Sequence, residues 1–168
     1  IRKLELEGLV LMIPRKGAEV AEITEKNLRD VLEVRGALEE LAVQLACDRI
    51  DKDGIRNLKK AAKEFEATLD SDDITQIAGA DVAFHDIIYL ATDNRRLIQL
   101  LNNLREQMYR YRVEYLKQKE CHPKLLAEHQ DIIRAIENGE RDKAAKITSQ
   151  HIDNQVAAVI DILRHKED

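Results

Sequence analysis

From Glu25 onward, apolar residues recur at helical spacing almost to the end of the chain, and this pattern constrains the fold more than any other feature. Short polar breaks rich in capping and turn residues divide the pattern. The predicted helices are 25–49, 52–69, 73–91, 95–119, 123–138 and 140–165. Because the connections between them are short, neighbouring helices should be antiparallel. The sequence therefore predicts an all-α antiparallel bundle of about six helices.

Composition agrees with one compact helical domain. The 168 residues are 44% hydrophobic and 35% charged, with six glycines, two prolines and no tryptophan. The net charge of −5 argues against a general nucleic-acid-binding surface. Cys47 and Cys121 lie outside any Cys-x-x-Cys motif and fit reduced thiols. No signal peptide opens the chain and no apolar run approaches the roughly 20 residues of a membrane span, so we expect a cytoplasmic protein without a membrane partner.

The first 23 residues differ in character from the rest. Residues 1–7 could be the last turns of a helix, and two β-prone runs, 9–13 and 18–23, follow. The residues between the runs, PRKG, predict a hairpin whose basic tip carries Arg15 and Lys16. A helix that leads into such a hairpin is how a winged helix-turn-helix ends, and its tip can reach phosphates or a minor groove. Taken alone, these residues favour an ordinary surface hairpin.

Three histidines and one aspartate fall within the apolar stripes of predicted helices. Asp81 and His85 lie four residues apart, so their side chains point about 40° apart on one helix face. His129 and His151 are in register with the apolar residues of the last two helices. A carboxylate that faces a core is costly unless it is paired or coordinated. Asp81 therefore needs a partner, for which Arg35 of the first predicted helix and the histidines are candidates.

Together the four side chains form a set of three nitrogen ligands and one oxygen ligand. Such a set suits Zn, Ni, Fe or Mn and leaves room for water or a bound anion. A divalent ion with one anionic ligand keeps a net charge near +1, which favours a small carboxylate. Taken singly, each histidine is more often a satisfied core residue, and the set could be structural only. His122 and His165 lack such a setting, and we expect both to be solvated.

A helical metal-dependent hydrolase is the alternative function. His85 and Asp86 spell the HD pair of helical phosphohydrolases, and a metal with open positions can activate water. That pattern needs another histidine upstream, however, and His85 is the first in the chain. Asp86 also lies about 100° around the helix from His85, so both could not easily face one ion. These residues favour ligand binding over catalysis.

Basic and aromatic residues alternate in LREQMYRYR, residues 104–112, of the fourth predicted helix. Such alternation can indicate a nucleic-acid surface. Because the domain is acidic, we interpret Arg110 and Arg112 as part of a solvated or dimer-facing stripe, from which one arginine could still enter a pocket.

The histidine series resembles a known family. The run ADVAFH, with Asp81 and His85, the segment AEHQDIIRAIENGERDKAA, with His129, and the last helix, with His151, resemble the FCD effector-binding domain of the FadR subfamily of GntR-type transcription regulators. Six helices rather than seven are similar to its VanR-type branch. The N-terminal EGLVLMIPRKGAEVAEI resembles the end of that family's winged helix-turn-helix.

The resemblance implies two parts. Residues 1–23 would be the C-terminal part of a winged helix-turn-helix, and residues 24–168 would be the FCD effector-binding and dimerisation domain. Most of the DNA-binding domain, including its DNA-reading helix, should lie ahead of the wing and is absent from this sequence. The chain as it stands should therefore bind operator DNA weakly or not at all.

The resemblance also implies the ligands. Asp81, His85, His129 and His151 would bind a divalent metal ion, Zn, Ni or Mn. Arg35, in LRDVLEVRGALEELAVQLA, corresponds to a basic residue that faces the carboxylate of a small organic acid effector.

The implied function is a ligand-responsive, DNA-binding transcription regulator. It would be cytoplasmic, would act as a homodimer on operator DNA and would not be an enzyme. Asn154, one turn beyond His151, is a candidate for reading the hydroxyl groups of the effector.

Overall fold

Six long helices account for most of the chain in the computed structural model, which describes residues 1–6, 10–21 and 25–167. A short helix and two strands come first: α1 (Arg2–Leu6), β1 (Val10–Ile13) and β2 (Gly17–Val20). The long helices are α2 (Glu25–Arg49), α3 (Lys52–Thr68), α4 (Ile74–Ala91), α5 (Arg95–Leu116), α6 (His122–Glu137) and α7 (Arg141–Glu167), with a 3₁₀ helix at Lys119–Cys121. Within the described part, no helix has the length and apolar character needed to cross a membrane. The predicted helical bundle is confirmed.

The helices begin where the sequence places capping residues. Asp51, Asp73 and Asn94 each accept a hydrogen bond from a backbone N–H in the first turn of α3, α4 and α5, respectively. Gly139 has a φ of +67°, which lets the chain turn sharply between α6 and α7. These short connections fold successive helices back on one another.

The prediction of one helix over 95–119 is wrong at its C-terminal end, because α5 stops at Leu116. The N–H of Gln118 donates to the carbonyl of Tyr115, a three-residue contact that tightens the chain toward the 3₁₀ helix. Pro123 then lies in the first turn of α6, where a backbone N–H has no acceptor within the helix, so the proline costs no helical hydrogen bond. The other predicted helix ends from Glu25 onward agree with the structure to within two residues.

The predicted N-terminal hairpin is confirmed. Strands β1 and β2 pair antiparallel, with Val10 opposite Val20 and Ile13 opposite Gly17. Arg15 and Lys16 are exposed in the turn between them. Strand β2 ends at Val20, so the predicted run 18–23 is wrong at Ala21. The predicted helix end at residue 7, the strand start at residue 9, residues 22–23 and the boundary between residues 23 and 24 lie outside the described residues. The two-part division therefore stays a prediction.

The apolar core consists of two clusters that meet at His129. Phe84 belongs to a cluster that reaches from α2 through α3 and α4 to the start of α7. Phe65 belongs to a second cluster that includes the later part of α5 and α7. The ring of His129 stacks on Phe84 with centroids 4.0 Å apart and lies 5.1 Å from Phe65. Polar residues at this junction are therefore enclosed by packed apolar side chains.

Candidate metal and effector site

Three histidines from three helices converge in the interior. His85 of α4, His129 of α6 and His151 of α7 are all buried, and one ring nitrogen from each lies within 4.8 Å of the others. Their ring centroids are 5.4 to 5.5 Å apart. The three histidines singled out from the sequence are therefore brought together.

Asp81 lies against two members of this group. Its Oδ1 lies 3.3 Å from His129 Nε2 and 3.8 Å from His85 Nε2. All three of these atoms are buried and lack a hydrogen-bond partner among the described residues. An unsatisfied buried polar atom costs roughly 1–3 kcal/mol, so three that face one another need an explanation. Oxygen and imidazole nitrogen are the donors that divalent transition metals and zinc accept, so the group fits a bound cation.

Glu128 orients His151. Its Oε2 lies 2.7 Å from His151 Nδ1, and its Oε1 accepts a hydrogen bond from the amide of Asn154. Because Nδ1 donates its proton to the carboxylate, the lone pair of His151 is on Nε2, where the amide of Gln155 donates at 3.0 Å. A carboxylate behind a ligating histidine commonly fixes its tautomer and ring orientation. Sequence reasoning did not single out Glu128 or Gln155.

Arg112 of α5 is the cation that pairs with Asp81. Its Nε lies 3.3 Å from Asp81 Oδ2, and its side chain is buried. Its Nη1 is buried without a hydrogen-bond partner in the described part of the chain. The interpretation of this segment as a solvated or dimer-facing stripe fits the exposed Tyr109, and Arg112 is the arginine that enters the interior, as the same interpretation allowed for one of the two. The available signal was its register, since Met108 and Tyr115, four residues before and three after, share the buried face of α5.

Arg35 of α2 turns inward, as the sequence suggested, but its direct partner is Glu39. Its Nε donates to Glu39 Oε1 at 3.0 Å, and both side chains are buried. The hydroxyl of Tyr89 donates to the same carboxylate oxygen. Arg35 and Glu39 therefore form a second buried ion pair beside the histidines.

Burial and charge set the protonation of the group. Burial lowers the pKa of His85 well below its usual value and also lowers the pKa of His129, although Asp81 acts in the opposite direction on both. Burial raises the pKa of Asp81, but chiefly the charge of the Arg112 guanidinium outweighs that effect, so its pKa lies well below the usual range. At neutral pH the imidazoles of His85 and His129 are neutral and the carboxylate is ionised. These are the forms that coordinate a metal ion.

A small cavity lies beside the group, between α2, α5 and α7. Arg35, Arg112 and Gln155 line it together with apolar side chains, and its volume is about 10 Å³. That volume is close to the smallest that holds one water molecule. Asn154 is not among the described lining residues, because its amide is directed at Glu128.

The two remaining histidines differ. His165 is exposed, as expected. The expectation that His122 is solvated is wrong, since it is buried with its Nε2 2.8 Å from the carbonyl oxygen of Leu116. The 3₁₀ helix folds the start of α6 back onto the last turn of α5, where that carbonyl has no helical partner. Arg15 and Lys16 are exposed in the turn of the hairpin.

The family model for the FCD domain matches residues 30–154. The chain belongs to the FCD domain family. The uncharacterised HTH-type transcriptional regulator YdhC of Bacillus subtilis (strain 168) is 24% identical, over 92% of this chain and 69% of that protein. The gluconate operon transcriptional repressor of the same organism is 26% identical, over 84% of this chain and 60% of its own length. The HTH-type transcriptional repressor GlaR of Escherichia coli (strain K12) is 25% identical, over 90% of this chain and 73% of its length.

Solved structures show the same fold. E. coli McbR/YncC superposes with a TM-score of 0.85 at 15% identity, over 95% of this chain and 81% of that chain. The metal-free FCD domain of TM0439, a putative transcriptional regulator, gives a TM-score of 0.70 at 20% identity, over 86% of this chain and 99% of that chain.

These findings confirm the resemblance to the FCD domain of GntR-type transcription regulators. They also confirm that the chain is not an enzyme, because the family and these relatives are transcription regulators. The FadR subfamily and its VanR-type branch stay predictions. The chain spans between 60% and 73% of the length of the three curated relatives described above.

Proposed function

We propose that this FCD domain is the sensor of a transcription regulator, in which a buried divalent metal ion and a small carboxylate effector control operator binding. The observation that carries the proposal is that three neighbouring buried atoms, Asp81 Oδ1, His85 Nε2 and His129 Nε2, have no hydrogen-bond partner among the described residues. They face one another beside His151. A neutral His129 can donate from Nε2 to Asp81 Oδ1, 3.3 Å away, but that bond would leave His85 Nε2 without a partner, whereas a bound cation would satisfy all three atoms together.

Asp81, His85, His129 and His151 would hold the ion, with Zn, Ni or Mn suited to this donor set. Bound there, such an ion would supply residual positive charge and open coordination positions suited to a carboxylate oxygen. His151 Nε2 accepts a hydrogen bond from Gln155, so Gln155 must release this nitrogen before it can act as a ligand. Glu128 keeps the His151 ring in the required tautomer throughout.

Two buried arginines would recognise the effector. Arg112 has an Nη1 without a partner among the described residues, and a carboxylate would accept from it. Arg35 lines the same cavity and adds positive charge, although Glu39 offsets part of it. Asn154 would act through Glu128, which orients His151, and not by contact with the effector.

The helix that carries Arg112 also holds the end of the hairpin. Arg110 of α5 donates from Nη2 to the backbone carbonyl of Ala21 at 2.8 Å, directly after β2. An effector that pairs with Arg112 would shift α5 relative to the metal ligands on α4, α6 and α7. Because Arg110 holds Ala21, this shift would be transmitted to the DNA-binding domain through the N-terminal segment. This coupling requires that the effector bind the two arrangements with different affinities.

Operator DNA is the proposed macromolecular partner, with Arg15 and Lys16 at the wing and the rest of the winged helix-turn-helix supplied by sequence outside this chain. A homodimer is proposed because of the family resemblance, and the cytoplasm is the expected compartment. Light scattering of this chain at micromolar concentration should give twice the mass of one chain. A mass equal to one chain at every concentration would contradict the dimer.

Operator binding tests the proposal as a whole. In a regulator that joins this chain to its DNA-binding domain, fluorescence anisotropy would measure operator affinity with and without small carboxylates, before and after chelation. We expect at least one acid to change the affinity by about fivefold or more, a typical size for allosteric coupling. The change should vanish on chelation and return with zinc. Effects that survive chelation would leave the histidine group a structural role only.

A further inference from the structure

The wall of the cavity is largely apolar. Seven of its ten described lining side chains are aliphatic or aromatic. The aliphatic ones are Leu28, Leu32, Met108, Val156 and Val159. A surface of this kind binds apolar groups by removing them from water.

Each charged or amide side chain that lines the cavity already has a partner in the protein. Arg35 pairs with Glu39, and the amide of Gln155 donates to His151 Nε2. Arg112 pairs through Nε with Asp81, whereas its Nη1 is buried without a hydrogen-bond partner in the described part of the chain. The group that points to a ligand is therefore a charged donor that suits a carboxylate.

Few groups of the described lining suit a row of hydroxyl groups, because beside the paired polar side chains it offers only the hydroxyls of Tyr111 and Tyr115. No Ser, Thr, Asn, Asp or Glu side chain belongs to it. A hydroxyl group that leaves water without finding a partner weakens binding. A polyhydroxylated acid would therefore leave most of its hydroxyl groups without partners in this cavity.

We infer that the effector is a carboxylate with an apolar substituent, aliphatic or aromatic, and not a sugar acid. This inference rests on the metal-dependent carboxylate sensor proposed above. The carboxylate lies at Arg112 and the histidine group, and the substituent packs against the aliphatic wall of α2, α5 and α7. The cavity of about 10 Å³ must widen to admit such a ligand. Met108 is unbranched and flexible, so it is suited to move aside.

Calorimetric titration of the zinc-loaded chain tests this class with matched probes. Hexanoate and gluconate are both six-carbon acids that differ in their hydroxyl groups, 1-hexanol keeps the apolar chain without the carboxylate, and benzoate represents aromatic acids. We expect hexanoate or benzoate to bind at least about tenfold more tightly than gluconate and 1-hexanol, because buried CH₂ groups add affinity and unpaired hydroxyls remove it. Gluconate that binds as tightly as both apolar acids would overturn the inference, and so would 1-hexanol that binds as tightly as hexanoate.

A pair of isosteric variants locates the apolar contact. Val159→Thr adds a hydroxyl to the cavity wall, whereas Val43→Thr adds one at an equally buried position in the other apolar cluster. We expect Val159→Thr to weaken hexanoate binding at least about threefold and Val43→Thr to leave it within about twofold. Equal effects of the two variants would contradict the proposed contact. Thermal melting of both variants verifies that they fold.

The outcomes separate the inference from the proposed function. Zinc-dependent binding of gluconate in preference to the apolar acids would overturn the apolar effector and leave the metal-dependent sensor intact. If no acid binds with or without zinc, the sensor itself is contradicted. Apolar acids that bind equally well after chelation would also contradict the sensor, while the Val159→Thr result would still decide whether this cavity holds them.

Discussion

Asp81 contacts both a buried arginine and two of the buried histidines. Its Oδ2 pairs with Arg112, and its Oδ1 lies near His85 and His129. Burial raises the pKa of this carboxyl, but chiefly the Arg112 guanidinium holds its pKa well below the usual range, so it stays ionised. Without its negative charge, the guanidinium of Arg112 would be buried with no countercharge in contact.

Asp81→Asn should therefore destabilise the metal-free chain by about 3–5 kcal/mol, the usual cost of breaking a buried ion pair from one side. The control is Asp86→Asn, because Asp86 pairs with Arg105 at a partly exposed position. Exposed pairs contribute about 0–1 kcal/mol, so the control should change stability little. Urea unfolding after chelation measures both variants. Equal losses of unfolding free energy in the two variants would show that the buried Asp81–Arg112 pair stabilises the chain no more than the partly exposed pair.

Glu128 should control metal affinity without being a ligand. Glu128→Gln removes the charge behind His151 Nδ1, and loss of such a partner typically costs 10- to 100-fold in metal affinity. Glu137→Gln changes a surface glutamate of the same helix, which pairs with Lys59, and should leave the affinity unchanged. Competition with a chromophoric chelator gives zinc affinity for both. An unchanged affinity in Glu128→Gln would remove Glu128 from the site.

Several of these residues could be found from the sequence and others could not. Asp81, His85, His129 and His151 stand among apolar residues at helical spacing, so their inward direction follows from helix phase. Whether they bind metal stays a prediction. Arg112 was foreseen only as one of two arginines that could enter a pocket, because its neighbours are tyrosines and arginines, which occur on buried and exposed faces alike. Glu128 was missed because a glutamate without a visible partner is normally exposed.

At the level of elements, α5 connects the site to the hairpin. Arg112 reaches inward to Asp81, while Arg110, two residues earlier, binds the carbonyl of Ala21. Residues two apart on a helix point in clearly different directions, so one helix can contact both the site and the N-terminal segment. A movement of α5 would therefore change its contact with Asp81 and its contact with Ala21.

Arg110→Ala should uncouple the sensor from DNA without impairing it. In a regulator that contains this chain and its DNA-binding domain, we expect effector affinity to stay within about twofold. The effector-induced change in operator affinity should fall to less than about half of the wild-type value, because Ala21 is no longer held. Arg105→Ala, on the same helix, removes a surface pair with Asp86 and serves as the control. An effector-induced change in operator affinity as large as in the wild type would show that the Arg110–Ala21 contact does not transmit the signal.

The elements were largely predictable because each helix carries its own apolar phase and begins near a capping residue such as Asp51, Asp73 or Asn94. The C-terminal end of α5 could not be predicted in this way. Residues 117–119 continue a helical composition, and only the 3₁₀ turn ahead of Pro123 ends the helix at Leu116. The buried position of His122 depends on that same turn.

For the molecule as a whole, the buried histidines make stability depend on pH. In the unfolded chain His85 and His129 should titrate near pH 6.5, whereas burial lowers both pKa values in the folded chain. Below about pH 6.5 the unfolded state therefore binds more protons, and the metal-free fold loses stability as pH falls. Each histidine contributes a slope of about 1.4 kcal/mol per pH unit while the folded form resists protonation.

Urea unfolding of metal-free chain between pH 8 and pH 5 measures this slope. His129→Gln should make it shallower, whereas His165→Gln, at an exposed position, should leave it unchanged. A stability that stays flat across this range would mean that the histidines are not desolvated as the structure shows.

The most direct test of the central claim is the amount of zinc that the chain retains. After chelation, the chain would be dialysed against limiting zinc and the bound metal measured by mass spectrometry, beside His129→Phe. Phenylalanine keeps a ring between Phe65 and Phe84 but has no nitrogen to offer. We expect about one zinc per wild-type chain and less than about a tenth of that in the folded variant, since one of four ligands is lost. Wild-type chain without bound zinc, or a variant that retains as much as wild type, would contradict a metal site at Asp81, His85, His129 and His151.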